Sequence, residues 1–242
     1  MKPERLKNNR KTYRDHWWQY AEKRPAMVGA IKGLDRVLVV ARVSKTGLPV
    51  FVSTGQVVSE QTVVFATDQS VVLALLSSGI HYAWAIVRAS SLKGDLRYTP
   101  SDVYETLPQP QATGRMQSVG EALEKLRGVT MMERQTGLTK LYSLVHDASV
   151  HDSDIVALRH VHREIDEAVL EAYGWQDLNL SHGFYSTRQG ERFTVASPVR
   201  SEILDRVLEL NHAFHRSESP ALSSTVTASK NAGQESTSDA LF

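Results

Sequence analysis

Lys93, Asp95 and Arg97 recur at two-residue spacing in the stretch SSLKGDLRYTPSD, residues 90–102. On one extended strand, alternate side chains share a face, so these three would point the same way. A row of charges does not build a core. It does suit the edges of bases: lysine donates to guanine O6 and N7, aspartate accepts from the cytosine N4 amine, and arginine forks onto guanine or a phosphate. Lys93 and Asp95 on one strand face would meet both halves of a single G·C pair. The same spacing also describes an exposed edge strand whose alternating charges discourage aggregation. Spacing alone leaves both readings open.

Other basic residues extend the set. Arg5, Lys7, Arg10, Lys11 and Arg14 form a dense N-terminal arm interleaved with Asn8, Asn9 and Tyr13. Arg42, Lys45 and Arg88 fall within or beside the segments that lead to residue 90. Side chains of this kind suit phosphates, which give affinity without sequence information. Arg10, Lys11, Arg14, Arg42, Lys45 and Arg88 are the candidate backbone contacts.

Enzymatic alternatives fit less well. SSLK (90–93), SDV (101–103) and KTG (45–47) match or partly match the three marks of penicillin-recognising serine enzymes. Their order is wrong, because the K-T-G strand should come late in the chain. The serine and lysine should also lie one turn apart at a helix N-terminus. His146, His151, His160 and His162 cluster near Asp154 and Glu164. The i,i+2 pair His160/His162 splits across helix faces, and no H-E-x-x-H set occurs, so these read as ordinary surface or partly buried histidines. Neither a phosphate-binding G-x-x-x-x-G-K-[ST] nor a dinucleotide-binding G-x-G-x-x-G is present.

The chain that must position these groups has 242 residues, enough for one or two domains. Its 41% hydrophobic and 23% charged content is that of an ordinary globular protein. It has no cysteine, which excludes disulfides, thiolate metal sites and thiol nucleophiles. No apolar core follows the basic N-terminus, and no run reaches the ~18 apolar residues of a membrane helix. The expected location is cytoplasmic, with no membrane partner. Net charge is +1, but residues 1–100 carry 15 Lys/Arg against 7 Asp/Glu, and the remainder 13 against 20. A basic first part beside an acidic second part suits a polyanion-binding face on the first, though clustered solvated charge gives the same count.

Periodicity predicts an α+β chain: short antiparallel strands plus helices, then a helical domain. Residues 9–32 read as helical, with Trp17, Tyr20, Arg24, Met27 and Ile31 at three- and four-residue steps and Pro25 breaking or re-aiming the helix. RVLVVARV (36–43), PVFVS (49–53), QVVS (56–59) and TVVFAT (62–67) read as short strands. Helices are expected over 68–79, capped by Asp68 or Ser70 and stopped by Gly79, and over 81–90. Residues 90–102 then return extended. LPQPQATG (107–114) reads as a linker. Beyond it, helices are expected over 115–127, through GLTKLYSLVHDAS, over 152–173 and over 197–215, where Ser197 caps and Pro198 opens the last. Met131 and Met132 read as core. The divisions are thus 1–110, with the basic arm over 1–32, a helical domain over 113–216, and a Ser/Thr/Ala-rich disordered tail over 217–242.

YRDHWWQYAEKRPAM, LDRVLVVARVSKTGLPVFV, VVFATDQSVVLALLSSGIHYAWAIVRASSLKGDLRYTPSDVYETLPQP and VHREIDEAVLEAYGW together resemble the C-terminal part of MmeI-like (type IIL) restriction-modification enzymes. More broadly they resemble adenine-specific DNA methyltransferases, including those of phage-defence systems. The resemblance runs from about residue 3 to 216. It implies a target recognition domain followed by a helical C-terminal domain, with double-stranded DNA as partner. It also implies that base-reading positions fall on Lys93, Asp95 and Arg97.

The full enzymes of that family transfer a methyl group from S-adenosylmethionine to adenine N6, and many carry a nuclease. Here there is no [DNS]-P-P-[YFW] loop, no glycine-rich cofactor motif, and no E-x-K or D-x-K. No catalytic residue and no cofactor are therefore expected in this chain. It looks like the specificity half alone, a split subunit or a truncated remnant beginning at Met1, working with a methyltransferase catalytic chain or domain. The alternative is a non-catalytic interaction remnant that docks on such a methyltransferase.

Overall fold

The structure is a computed structural model and describes residues 2–19, 24–92 and 95–231. The N-terminal arm is short helices rather than one: α1 (Lys2–Leu6), α2 (Lys11–Asp15) and α3 (Pro25–Ala30). Pro25 acts as expected. It cannot continue a helix but has a fixed φ that suits a first turn, so it opens α3 after Arg24, which sits at φ 45°.

Next come β1 (Arg36–Ala41), β2 (Val43–Ser44), β3 (Val50–Ser53) and β4 (Thr62–Phe65). β1 is flanked by β3 and β4, both antiparallel to it, with Leu38 opposite both Phe51 and Phe65. Val37 to Val40 are buried on both faces, so β1 reads as a continuous apolar run rather than an alternating one. The expected strand at 56–59 does not form. Those residues are a connection in which Val57 is 73% exposed. β-branched residues raise strand propensity, but these have no partner edge to pair with.

α4 (Ser70–Ser77) and α5 (Gly79–Arg88) follow. Ser78 ends the first and caps the second, its hydroxyl accepting from the His81 N–H at 3.1 Å. Gly79 therefore starts a helix instead of stopping one. The two helices bend by 62° at this point and bury Leu73, Leu76, Ile80 and Trp84. Among the described residues no single helix is long and apolar enough to cross a membrane.

β5 (Ser90–Leu92) and β6 (Asp95–Arg97) lead into α6 (Pro100–Val103). Then come α7 (Gly114–Glu133), α8 (Leu138–Val145) and α9 (Ser153–Ala172). α7 places Met116, Val119, Gly120, Leu123, Arg127 and Thr130 on its buried face. Met132, expected in the core, is 70% exposed, while Met131 packs against the core. β7 (Gly183–Thr187) and β8 (Gly190–Thr194) form a hairpin within the part expected to be helical only. α10 (Ser197–Asn231) closes the described chain; its backbone continues through the first part of the expected tail, and 232–242 lie outside the described residues.

The buried residues form one contiguous core from Leu38 through Leu123 and Ile165 to Val207. The linker segment is stitched into it. Leu107 is buried, the Tyr173 hydroxyl donates to the Pro108 carbonyl at 2.6 Å, and Asn211 donates to the Thr106 carbonyl at 2.6 Å.

Candidate nucleic-acid interface

β6 carries the candidate site, and its surroundings differ from a single extended strand. The chain reverses between β5 and β6: Ser90 faces Arg97, Ser91 faces Leu96 and Leu92 faces Asp95 in antiparallel register. Lys93 lies outside the described residues. Asp95 and Arg97 do share a face. Leu96 between them is buried, Asp95 is half-buried and Arg97 is exposed. β6 is the central strand of a second sheet, ordered β2-β6-β5, so the charged pair sits mid-sheet and not on an edge. The edge-guarding explanation therefore does not apply to β6.

This sheet gathers part of the basic set. Val43 pairs with Arg97 and Ser44 with Leu96. Arg42 joins the two sheets: its N–H donates to the Gln61 carbonyl and its carbonyl accepts from the Tyr98 N–H, both at 2.8 Å. Lys45 is exposed in the turn after β2. The Ser44 hydroxyl holds that turn by accepting from the N–H groups of Thr46 and Gly47, each at 3.0 Å. Gly47 sits at φ 59°, and a Cβ there would lie 3.1 Å from the Leu96 side chain, so glycine is needed for both backbone and space. Arg88 is exposed at the end of α5, two residues before Ser90, and its guanidinium lies 5.2 Å from the centre of the Trp84 ring.

Tyr13, Trp18, Met27 and Val28 of the N-terminal arm line an open cleft with Thr54 and Glu60, on the connection from β3 to β4. Arg10, Lys11 and Arg14 are exposed in the same arm. Arg10 lies 5.8 Å from the Tyr13 ring centre, and Arg14 pairs loosely with Asp15 at 3.6 Å.

Beneath the sheet lies a polar cluster that sequence reading passes over as ordinary histidines. His81 pairs with the Tyr98 hydroxyl at 3.0 Å and His162 with the Tyr142 hydroxyl at 2.7 Å. Asp166 accepts from His182 at 2.8 Å and from the Gly79 N–H. Burial holds His81 and His162 down at about 4 and His146 at about 3, so all three are neutral. They line or adjoin a cavity of about 70 Å³. Elsewhere in the region, Asp154 is held by Arg134, and His160 faces Glu164 on the surface at 3.7 Å. Among the described residues no group of His, Asp or Glu is placed to hold a metal ion.

The serine-enzyme geometry is absent too, because Ser90 lies on β5 and not at a helix N-terminus. The cavity is also several times smaller than the ~300 Å³ at which small-molecule pockets begin. β6 thus presents an Asp/Arg pair at mid-sheet, with Lys45 exposed in the turn after the neighbouring β2.

No curated protein matches the chain significantly. A solved structure of the type IIL restriction-modification enzyme MmeI in complex with DNA matches 88% of the chain at a TM-score of 0.57 and 18% identity. The likeness is one of fold, and the chain spans about a quarter of the length of that relative, 25%. The family model of the MmeI target recognition domain matches residues 2–111, which include both small sheets and every candidate DNA contact. Over residues 2–111, somewhat less than half of its length, the chain is therefore similar to the MmeI target recognition domain.

Proposed function

We propose that the chain selects the DNA site for an adenine-N6 methyltransferase whose catalytic machinery lies on another chain or domain. The observation that carries this reading is β6: in a target recognition domain, its central strand turns Asp95 and Arg97 outward beside Lys45 and Arg88. Asp95 and Arg97, with Lys93, read base edges in the major groove. Arg42, Lys45 and Arg88 engage phosphates around that site, and Arg10, Lys11 and Arg14 engage them from the N-terminal arm. Flipping of the target base and methyl transfer belong to the partner, together with S-adenosylmethionine. A cytoplasmic location accords with this role.

A second feature supports a protein partner. Trp18, 61% exposed, lines an open cleft with Val28 and Val57, and an apolar surface of that kind suits a docking protein. On that feature alone the chain would be an interaction module without DNA contacts. A salt titration of duplex binding separates the two, because phosphate contacts make affinity fall steeply with salt. For base reading, the charges of Lys93 and Asp95 are exchanged in a complex with an active methyltransferase. A change of methylated sequence at one base pair is expected. An unchanged site at every base pair would show that these residues do not read bases.

A further inference from the structure

The β7–β8 hairpin lies outside the residues matched by the family model, yet it is fastened to the sheet that carries β6. Its last pair is Thr187 with Gly190, leaving Arg188 and Gln189 as a two-residue loop. The loop is held from within. The Thr187 hydroxyl donates to the Gly190 carbonyl at 2.7 Å, the Gln189 N–H donates back to the Thr187 hydroxyl at 3.2 Å, and Gly190 takes up a φ of 104°. It is also held from outside, because the Tyr82 hydroxyl on α5 donates to Gln189 Oε1 at 3.1 Å.

Three residues past the loop, Arg192 is 7% exposed and donates to the Lys45 carbonyl. The Lys45 turn in turn packs on Leu96, between Asp95 and Arg97. The hairpin, α5, the Lys45 turn and β6 are therefore one connected body. Of the two loop side chains, Gln189 is engaged by Tyr82 and Arg188 is exposed. A guanidinium on a pre-ordered tip loses little freedom on binding, and its planar fork of donors suits a phosphate.

We propose that this hairpin is a second DNA-contacting element, with Arg188 engaging a backbone phosphate next to the segment read by β6. The inference rests on the DNA-recognition reading above. It assigns Arg188 to affinity and not to sequence choice, because phosphates carry no base identity.

The test is duplex binding by the full chain across a salt series, followed by fluorescence anisotropy, for wild type, Arg188→Ala and Arg188→Lys. Arg188→Ala should bind several-fold more weakly on any sequence. Its slope of log affinity against log salt should fall by about one. Arg188→Lys should keep the slope. Thermal unfolding of both variants should match wild type, since the side chain is exposed. A salt-dependent wild type whose slope Arg188→Ala leaves unchanged overturns the hairpin assignment and leaves the DNA reading standing. A wild type without salt-dependent binding overturns both.

Discussion

The guanidinium of Arg192 lies 5.0 Å from the centre of the Tyr82 ring. From there it also reaches the Lys45 carbonyl, so one side chain ties the late hairpin to α5 and to the turn beside the recognition strand. Burial lowers the guanidinium's pKa, as expected for a cation held by a ring and a carbonyl and not by a carboxylate.

Arg192→Ala removes the charge-assisted bond and the stacking together, and leaves the Lys45 carbonyl without that donor. The expected loss is about 2 kcal/mol of stability. It would be read as a lower denaturation midpoint at an unchanged m-value. Duplex affinity should fall as well, because the Lys45 turn loses its anchor. Stability unchanged within about 0.5 kcal/mol would show that the turn is held by Ser44 alone.

Gly120 on α7 sets how closely the recognition part and the helical part can approach. A Cβ at this position would lie 2.1 Å from the Ser70 carbonyl oxygen on α4 and 2.8 Å from its carbon. Both obstacles are backbone, so the helices would have to separate. Gly120→Ala should cost about 1–3 kcal/mol, although alanine is the better helix former by up to ~1 kcal/mol. Gly128 on the same helix has open space where a Cβ would sit, with nothing within 4 Å, and Gly128→Ala should be neutral or stabilising. Denaturant titration of the two variants makes the comparison internal to α7.

Several elements are legible in the sequence because local and tertiary demands agree. β1, β3 and β4 stand out as β-branched runs between glycines. Pro25 and Pro198 mark helix starts because their fixed φ suits a first turn. The hairpin at 90–97 reads as one strand because Lys93, Asp95 and Arg97 keep a period of two across Gly94. Only pairing decides that the chain reverses. The β7–β8 hairpin does carry a signal: GFYST and ERFTV flank Arg188, Gln189 and Gly190. The buried histidines are illegible for a different reason. Their partners, Tyr98 for His81 and Tyr142 for His162, are 17 and 20 residues away.

Those histidines predict the response to acid. In the unfolded chain histidine titrates near 6.5, whereas burial holds folded His81 and His162 at about 4 and His146 at about 3. As pH falls below 6.5 the unfolded chain takes up protons that the folded one refuses. Stability is therefore full above that value and declines as pH drops from about 6.5 towards 4. Each histidine contributes a slope of up to about 1.4 kcal/mol per pH unit. Urea unfolding between about pH 7 and pH 5 should show the decline. His162→Gln should be less stable at neutral pH but show a shallower decline. An identical slope would mean that His162 does not titrate on unfolding in this range.

Arg97 and Arg10 give the last prediction. Arg97 is exposed on β6 at mid-sheet, while Arg10 is exposed in the N-terminal arm, 5.8 Å from the Tyr13 ring centre. Arg97→Ala should cost about 1–3 kcal/mol on the recognised site and relax the choice at one base pair. Arg10→Ala should weaken binding to every duplex alike and lower the salt slope by about one. If the two act on different parts of the duplex, the double variant should lose the sum of the two within about 0.5 kcal/mol. Affinity measured on a library of sites, at two salt concentrations, separates the two kinds of loss. If Arg97→Ala instead lowers affinity equally on all sites, β6 contacts the backbone and base choice lies elsewhere on the sheet.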